Sequence, residues 1–364
     1  MIKKTLLLIC LFCILYTYGQ LSETLQKYYD YTNKAEYAIV ISNDKKAASE
    51  YYQNAFKLKK QPFFDDIYNS FIVNTEIHNN ERAKKDYKNL RCLGYNFSTI
   101  RGFKFFKDFM ENNQDFINGI DCTQEQSKFN YILKKTLDSL GKSDQYLGRL
   151  TVPFSTKRPD EALIKKLNKN DSLNAVKLKE VIEKYGFPNE YMVGVNNQVD
   201  AFTPDYQLII IHQQKKGKEI NVDLVPLLYK AVLEGKLRNR NFVDLTEHAT
   251  LKKDYNLPLI GLDSEYYINK SIYPESRDKK DKKEIDRIEE NRKKIGLPDV
   301  SKTTLYRLFK VNFNPLYRFE PTSFIQYFTE SCGEQILNNI TNNAVKLTFE
   351  DYLKYLNDKN NNRK

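Results

Sequence analysis

Only three histidines occur in the 364 residues, His78, His212 and His248. Imidazole is the side chain best suited to moving a proton or holding a metal near neutral pH. His212 closes the run DYQLIIIHQQ, with Leu208 and Ile209 four and three residues before it. On a helix it therefore shares their apolar face. A histidine so placed is either a hydrogen-bonded core residue or a reacting one, and the spacing alone favours the core. His248 follows Glu247 in FVDLTEHATL. Neighbouring residues leave a helix in different directions, so the two do not form a carboxylate–imidazole pair by themselves. The chain has no HExxH, GxSxG, P-loop or Cys–His pattern, so it implies neither a cofactor nor a metal.

The elements that carry these residues read as all-α or nearly so. Asn170-Asp171-Ser172 offers N-cap chemistry for a helix whose apolar face is Leu178, Val181, Ile182 and Tyr185. Gly186 fits the left-handed position after the last turn, Phe187 is placed to pack back on Ile182, and Pro188 forbids continuation. VIEKYGFP thus predicts a Schellman-type stop with a hydrophobic clasp. Thr203-Pro204-Asp205 opens the His212 helix. Asp223 caps VPLLYKAVLE, which stops at Gly235, and a further helix lies near residues 242–251. Asp286 to Lys294 is charged and helical and ends at Ile295-Gly296, and Thr348 with Asp351 starts a helix at YLKYL. Upstream, Thr123 and Gln126 make a capping box. Phe129, Ile132, Leu133, Leu137 and Leu140 follow on one face, and Gly141 ends that helix. No segment alternates cleanly as sheet.

Ahead of these elements lie two similar blocks. Ala48, Tyr52 and Ala55 recur in spacing as Ala83, Tyr87 and Leu90, thirty-five residues later. Phe64, Ile67, Tyr68 and Phe71 stripe a helix between them. The period is close to the ~34 residues of tetratricopeptide repeats, which this region resembles over about residues 22–95. The aromatic FKFFKDFM is expected to complete the stack.

The first nineteen residues have the order of a secretory signal peptide. Lys3 and Lys4 precede the apolar TLLLICLFCILY, and Thr17-Tyr18-Gly19 supplies small residues before a cleavage point at Gln20. The mature chain is then expected to be exported, periplasmic or extracellular, with no stable membrane insertion. Cleavage removes two of the five cysteines. Cys92, Cys122 and Cys332 remain, of which one pair can bridge in an oxidising compartment. The net charge of +11 is spread along the chain and interleaved with acids, even in RDKKDKK at 277–283. It therefore does not make a nucleic-acid footprint.

Several of these pieces together resemble an uncharacterised bacterial domain family, found in secreted Bacteroidetes proteins beside tetratricopeptide-like repeats. Asp144 and Gln145 before Arg149 match its opening. Tyr185, Gly186, Phe187 and Pro188 match its Tyr-Gly-Trp-Pro motif, with Phe in place of Trp. His212 with Gln213 matches its His helix, and Ala231, Glu234 and Gly235 lie in its next region. Arg287, Arg292, Gly296 and Leu297 match its closing Arg-rich helix. The resemblance departs at Glu247-His248, where the family has Asp-Arg. It departs again at LPLIGLDSEYY, where only Gly261, Asp263 and Glu265 remain near its Tyr-Gly-Thr-Gln segment. It implies an architecture and a set of residues over about 125–298, and no reaction.

The expected organisation is a signal peptide at 1–19, tetratricopeptide-like repeats at 20–122, the family-like helical domain at 123–298 and a helical extension at 299–364. The expected function is binding of a protein or peptide by an exported scaffold, without catalysis. The alternative is a hydrolase-like site around His212, Asp144, Arg149 and Glu247, in which carboxylates orient an imidazole.

Overall fold

The computed structural model describes residues 19–151, 161–195, 205–214, 220–247, 254–255, 259–262, 265–269, 279–312, 316–319, 325–327, 342 and 344–361. The signal-like residues 1–18, Thr203, Pro204, His248, Asp263 and Cys332 lie outside them.

The chain is predominantly helical, as its apolar spacing dictates. It begins with α1 (Glu23–Val40), α2 (Lys45–Leu58), α3 (Phe64–Glu76) and α4 (Asn80–Cys92). Side-chain caps start three of them: Ser22 accepts from the Leu25 amide, Asp44 from Ala47 and Asn79 from Arg82. Each cap satisfies an otherwise orphaned N–H. The helices pack in series, α1 on α2, α2 on α3 and α3 on α4. Ala48, Tyr52, Ala55, Ala83, Tyr87 and Leu90 are all buried, so the two repeated stripes are core faces. FKFFKDFM forms α5 (Lys104–Asn112) and sends Phe106 and Phe109 against Phe71 of α3. A disulfide joins Cys92 to Cys122, which closes the segment carrying α5 and the short α6 (Gln114–Asn118) onto the end of α4.

Beyond the disulfide the sequence expectations need three corrections. Thr123 and Gln126 do not form a capping box. They bound α7 (Thr123–Gln126), a single turn, and the Thr123 amide and hydroxyl both donate to Asp121. The long helix, α8 (Tyr131–Thr151), begins later under Asn130, which accepts from the Leu133 amide, and it does not stop at Gly141. Its buried face of Leu133, Leu137 and Leu140 continues at Asp144. Packing along that face outweighs the ~1 kcal/mol helix penalty of one glycine. Likewise α9 runs from Glu161 to Tyr185 straight through Asn170-Asp171-Ser172. Asp171 and Ser172 are buried inside it, and the Ser172 hydroxyl donates back to the Asn168 carbonyl instead of capping.

The stop at Gly186 is real, with φ +78°. The Gly186 amide donates to the Ile182 carbonyl at 2.8 Å. That single bond makes it the simpler left-handed cap and not the two-bond Schellman motif. Phe187 and Ile182 are both buried in one core, as the clasp requires. The two-bond motif occurs at Gly235, which follows the helix Val225–Leu233, and at Gly296, which follows the helix Lys279–Lys294.

After α10 (Glu190–Val193) come α11 (Asp205–Gln213), α12 (Val225–Leu233) and α13 (Asn239–Glu247). A small sheet then interrupts the helices, which the sequence did not signal. Its strands are β1 (Leu259–Leu262) and β2 (Glu265–Asn269), joined with β3 (Ile325–Tyr327) and β4 (Ala344–Leu347) from far along the chain. The order is β3-β1-β2-β4, with Leu259 opposite Ile268 and Tyr266 opposite Leu347 in antiparallel pairs, and Ile260 beside Ile325 in the parallel one. Strands of three to five residues are too short for a period-2 pattern to stand out. The remaining helices are α14 (Lys279–Lys294), α15 (Val300–Asn312) and α16 (Phe349–Asn361), the last opened by Thr348 and Asp351.

Two main apolar cores result. One gathers α8, α9, α11, α12 and α13 with Ile295 and Leu297. The other gathers α1–α5 with α15, Tyr317, Phe319, Phe349 and Tyr352. Residues of the C-terminal extension thus share a core with the N-terminal helices. No helix among the described residues is long and apolar enough to cross a membrane.

Candidate functional site

Three helices of one core place a polar residue where their apolar stripe would next continue. On α8 the stripe Leu133, Leu137, Leu140 leads to Asp144. On α9 the stripe Ile182, Leu178, Ala175 leads back to Asp171. On α11 Ile209 is followed one turn later by His212. Because α11 packs on both α8 and α9, the three polar positions meet. His212 Nδ1 lies 2.9 Å from Asp144 Oδ2. One ligating atom from each of Asp144, Asp171 and His212 falls within 4.8 Å of the others.

The electrostatics of this cluster are uneven. Asp144 is completely buried, whereas the His212 side chain is 21% exposed. Asp144 Oδ2 lies 2.9 Å from His212 Nδ1 and accepts, at 2.7 Å, from Gln145 Nε2. Its other oxygen, Oδ1, is buried and accepts no hydrogen bond. A buried carboxylate oxygen without a donor is costly, so a native structure that keeps one has a reason to. Gln213, beside His212, does something different. Its Nε2 donates to the Ile220 carbonyl, and the Ile220 amide donates to Ser172, which brackets the chain against α9.

The sequence-derived set therefore comes together only in part. Asp144 and His212 meet, and Asp171, read from sequence as a cap, joins them. Glu247 does not. It is buried at the end of α13, and its Oε1 accepts the backbone amides of Asp254 and Tyr255, so its carboxylate turns the chain. Arg149 belongs to α8, but its side chain lies outside the described structure. The arginines of the Arg-rich helix are fasteners. Arg292, almost wholly buried, donates to the carbonyls of Pro298 and Tyr255 and to Thr303, while Arg287 pairs with Asp254 and Glu284.

A second buried polar cluster went unnoticed in the sequence. Arg238 bonds both Glu36 and Asp66, and Arg240 pairs with Glu36 and donates to the Phe319 carbonyl. Tyr28 donates to Asp66 at 2.6 Å and accepts from the Phe63 amide. Arg318 reaches Asp65 and lies over the rings of Phe64 and Tyr68. Glu36, Asp66, Arg238 and Arg240 are all closed to solvent. They clasp α1 and α3 to the start of α13 and to residues 317–319. The legible signal was Glu36 and Asp66 on otherwise apolar helix faces, since such residues are almost never buried unpaired.

No protein-family model matches the chain, and neither a curated protein nor a solved structure matches it. What the molecule can do has to be read from its own geometry.

Proposed function

We propose that the protein is exported and acts as a hydrolase, activating a water at the Asp144–His212–Asp171 centre. The carrying observation is the 2.9 Å contact between His212 Nδ1 and the buried Asp144 carboxylate. A carboxylate that accepts the Nδ1 proton fixes the imidazole's tautomer and orientation and leaves the other nitrogen as acceptor. No hydrogen bond to His212 Nε2 occurs among the described residues. The partial exposure of His212 gives water a way in, while the carboxylates stay dry. The reaction needs only water and an acyl- or phosphoryl-type electrophile. The water oxygen bonds to the electrophilic centre as its proton passes to the site, and the leaving group takes that proton when its bond breaks.

Partner binding by the N-terminal helices has less support. An open helical stack binds through exposed faces. Here the faces of α1 and α3 carrying Tyr28, Glu36, Asp66 and Asn69 are covered by Arg238, Arg240 and Arg318 of the same chain. Export is supported by the signal-like order of the first nineteen residues. The Cys92–Cys122 bridge, a bond that persists in oxidising compartments, supports it too.

The test is turnover by the chain from Gln20 onward against chromogenic acyl esters and phosphate esters. His212→Gln and Asp144→Asn should each lower kcat/KM by roughly 100-fold or more, with circular dichroism unchanged. Equal turnover in folded His212→Gln, or no turnover of any member of the panel by the parent, contradicts the reading.

A further inference from the structure

We infer that the Asp144–Asp171–His212 centre is a binding site for one divalent first-row transition ion, of which Zn2+ is the natural probe. This deepens the hydrolytic reading and rests on it for the role of the ion, though not for the binding itself.

Three observations carry the inference. The first is the donor set, one imidazole nitrogen and two carboxylates on three different helices, each with an atom within 4.8 Å of the others. Imidazole beside carboxylate suits zinc, manganese or iron. An all-oxygen set would have pointed to calcium or magnesium. The second is spacing. Two ligands each about 2.1 Å from a tetrahedral ion stand about 3.4 Å apart. His212 Nδ1 and Asp144 Oδ2 stand 2.9 Å apart. The wider separations, at most 4.8 Å, must close for all three atoms to reach a shared ion.

The third observation points independently to a ligand. Asp144 Oδ1 is buried on a residue of zero exposure and accepts nothing. It belongs to the same carboxylate that already touches His212. A cation beside that carboxylate supplies what the protein's own donors leave out. Gln145, bonded to Oδ2, then orients the ligand from outside the coordination shell, as partners of metal-binding carboxylates commonly do. Loading the ion would expel the Nδ1 proton of His212, because only the deprotonated nitrogen ligates. Water bound to such an ion ionises far more readily than bulk water, which would supply the nucleophile that the hydrolytic reading requires.

The experiment is calorimetric titration of Zn2+ into the chelator-stripped chain from Gln20 onward, repeated with Mg2+ and Ca2+. One equivalent of Zn2+ should bind, and Mg2+ and Ca2+ should bind at least 100-fold more weakly. Asp144→Asn and Asp171→Asn should each weaken Zn2+ at least 10-fold. Should either fail to fold, His212→Gln, on a partly exposed residue, gives the same reading. No Zn2+ uptake by the folded parent overturns the inference, and so does uptake that none of these substitutions changes. Hydrolysis by the stripped protein that is lost in His212→Gln, with no Zn2+ uptake, overturns the ion site and leaves the hydrolytic reading standing. Uptake that depends on Asp144, with no hydrolysis of any substrate, supports the ion site and sinks the hydrolytic reading.

Discussion

Alanine at Gly296 and alanine at Gly186 should destabilise the protein by different amounts, although both residues end helices with nearly the same backbone. Their φ angles are +72° and +78°, so each substitution meets the same left-handed penalty of about 1–2 kcal/mol. The surroundings differ. A Cβ on Gly296 would land 2.7 Å from Tyr29 Cδ2 and 3.0 Å from Tyr29 Cβ. Tyr29 has nowhere to go. It is 2% exposed, stacked on Phe63 at 6.1 Å between centroids and set edgewise to Tyr28 at 5.7 Å. Overpacking of this kind adds about 1–3 kcal/mol. A Cβ on Gly186 would meet only the end of the Lys236 side chain, at 3.2 Å, and that end can swing away. Gly296→Ala should therefore lose about 2–5 kcal/mol and Gly186→Ala about 1–2 kcal/mol. Urea denaturation of both variants, at unchanged m-value, measures the gap. Equal losses within about 0.5 kcal/mol would mean that Tyr29 does not hold the close approach on which the joint between α1 and α14 depends.

Other perturbations probe the remaining supports. Arg238→Ala removes the guanidinium that bonds both Glu36 and Asp66 and should cost about 3–5 kcal/mol, as breaking a buried ion pair does. An unchanged melting temperature would mean the clasp is not buried. Cys122→Ser opens a bridge spanning 30 residues, worth about 3–4 kcal/mol in the chain-entropy picture. Stability equal to the oxidised parent would show the bridge absent in solution. Asp86 is pushed up to about 7 by burial, while bonds from Ser70 and Asn74 and the charges of Lys85 and Arg82 pull it back. Its native pKa lies above the unfolded value of about 3.9, so its contribution is full below that value and lost as pH rises through about 7. The stability of the parent minus that of Asp86→Asn should accordingly fall between pH 4 and 8. A flat difference over that range would place Asp86 in contact with water.

Local chemistry was legible in the sequence, and long-range chemistry was not. The stops at Gly186, Gly235 and Gly296 follow from backbone rules that act within a few residues. The faces built on Ala48, Tyr52 and Ala55 follow from helical spacing. Gly141 and Asn170-Asp171-Ser172 misled because cap and breaker preferences are weak against a continuous buried face, and both lie on one. The same error hid Asp171 from the candidate site. Asp144 and His212 were legible as candidates, but no sequence rule says that positions so far apart touch. The pairing of Arg238 with Glu36 and Asp66 spans about half the chain. Only the acids on apolar faces hinted at it. Glu247 looked reactive beside His248, yet its carboxylate is taken by backbone amides that come back to it seven and eight residues later.

The central claim is that Asp144 and His212 form one working unit. Long-range nitrogen–proton NMR of the metal-free protein tests it directly, since only three histidine rings need assignment. The predicted result is a His212 ring protonated at Nδ1 and acceptor at Nε2, with that pattern lost in Asp144→Asn and the Nδ1 proton displaced by one equivalent of Zn2+. A His212 ring protonated at Nε2, indifferent both to Asp144→Asn and to Zn2+, would contradict it.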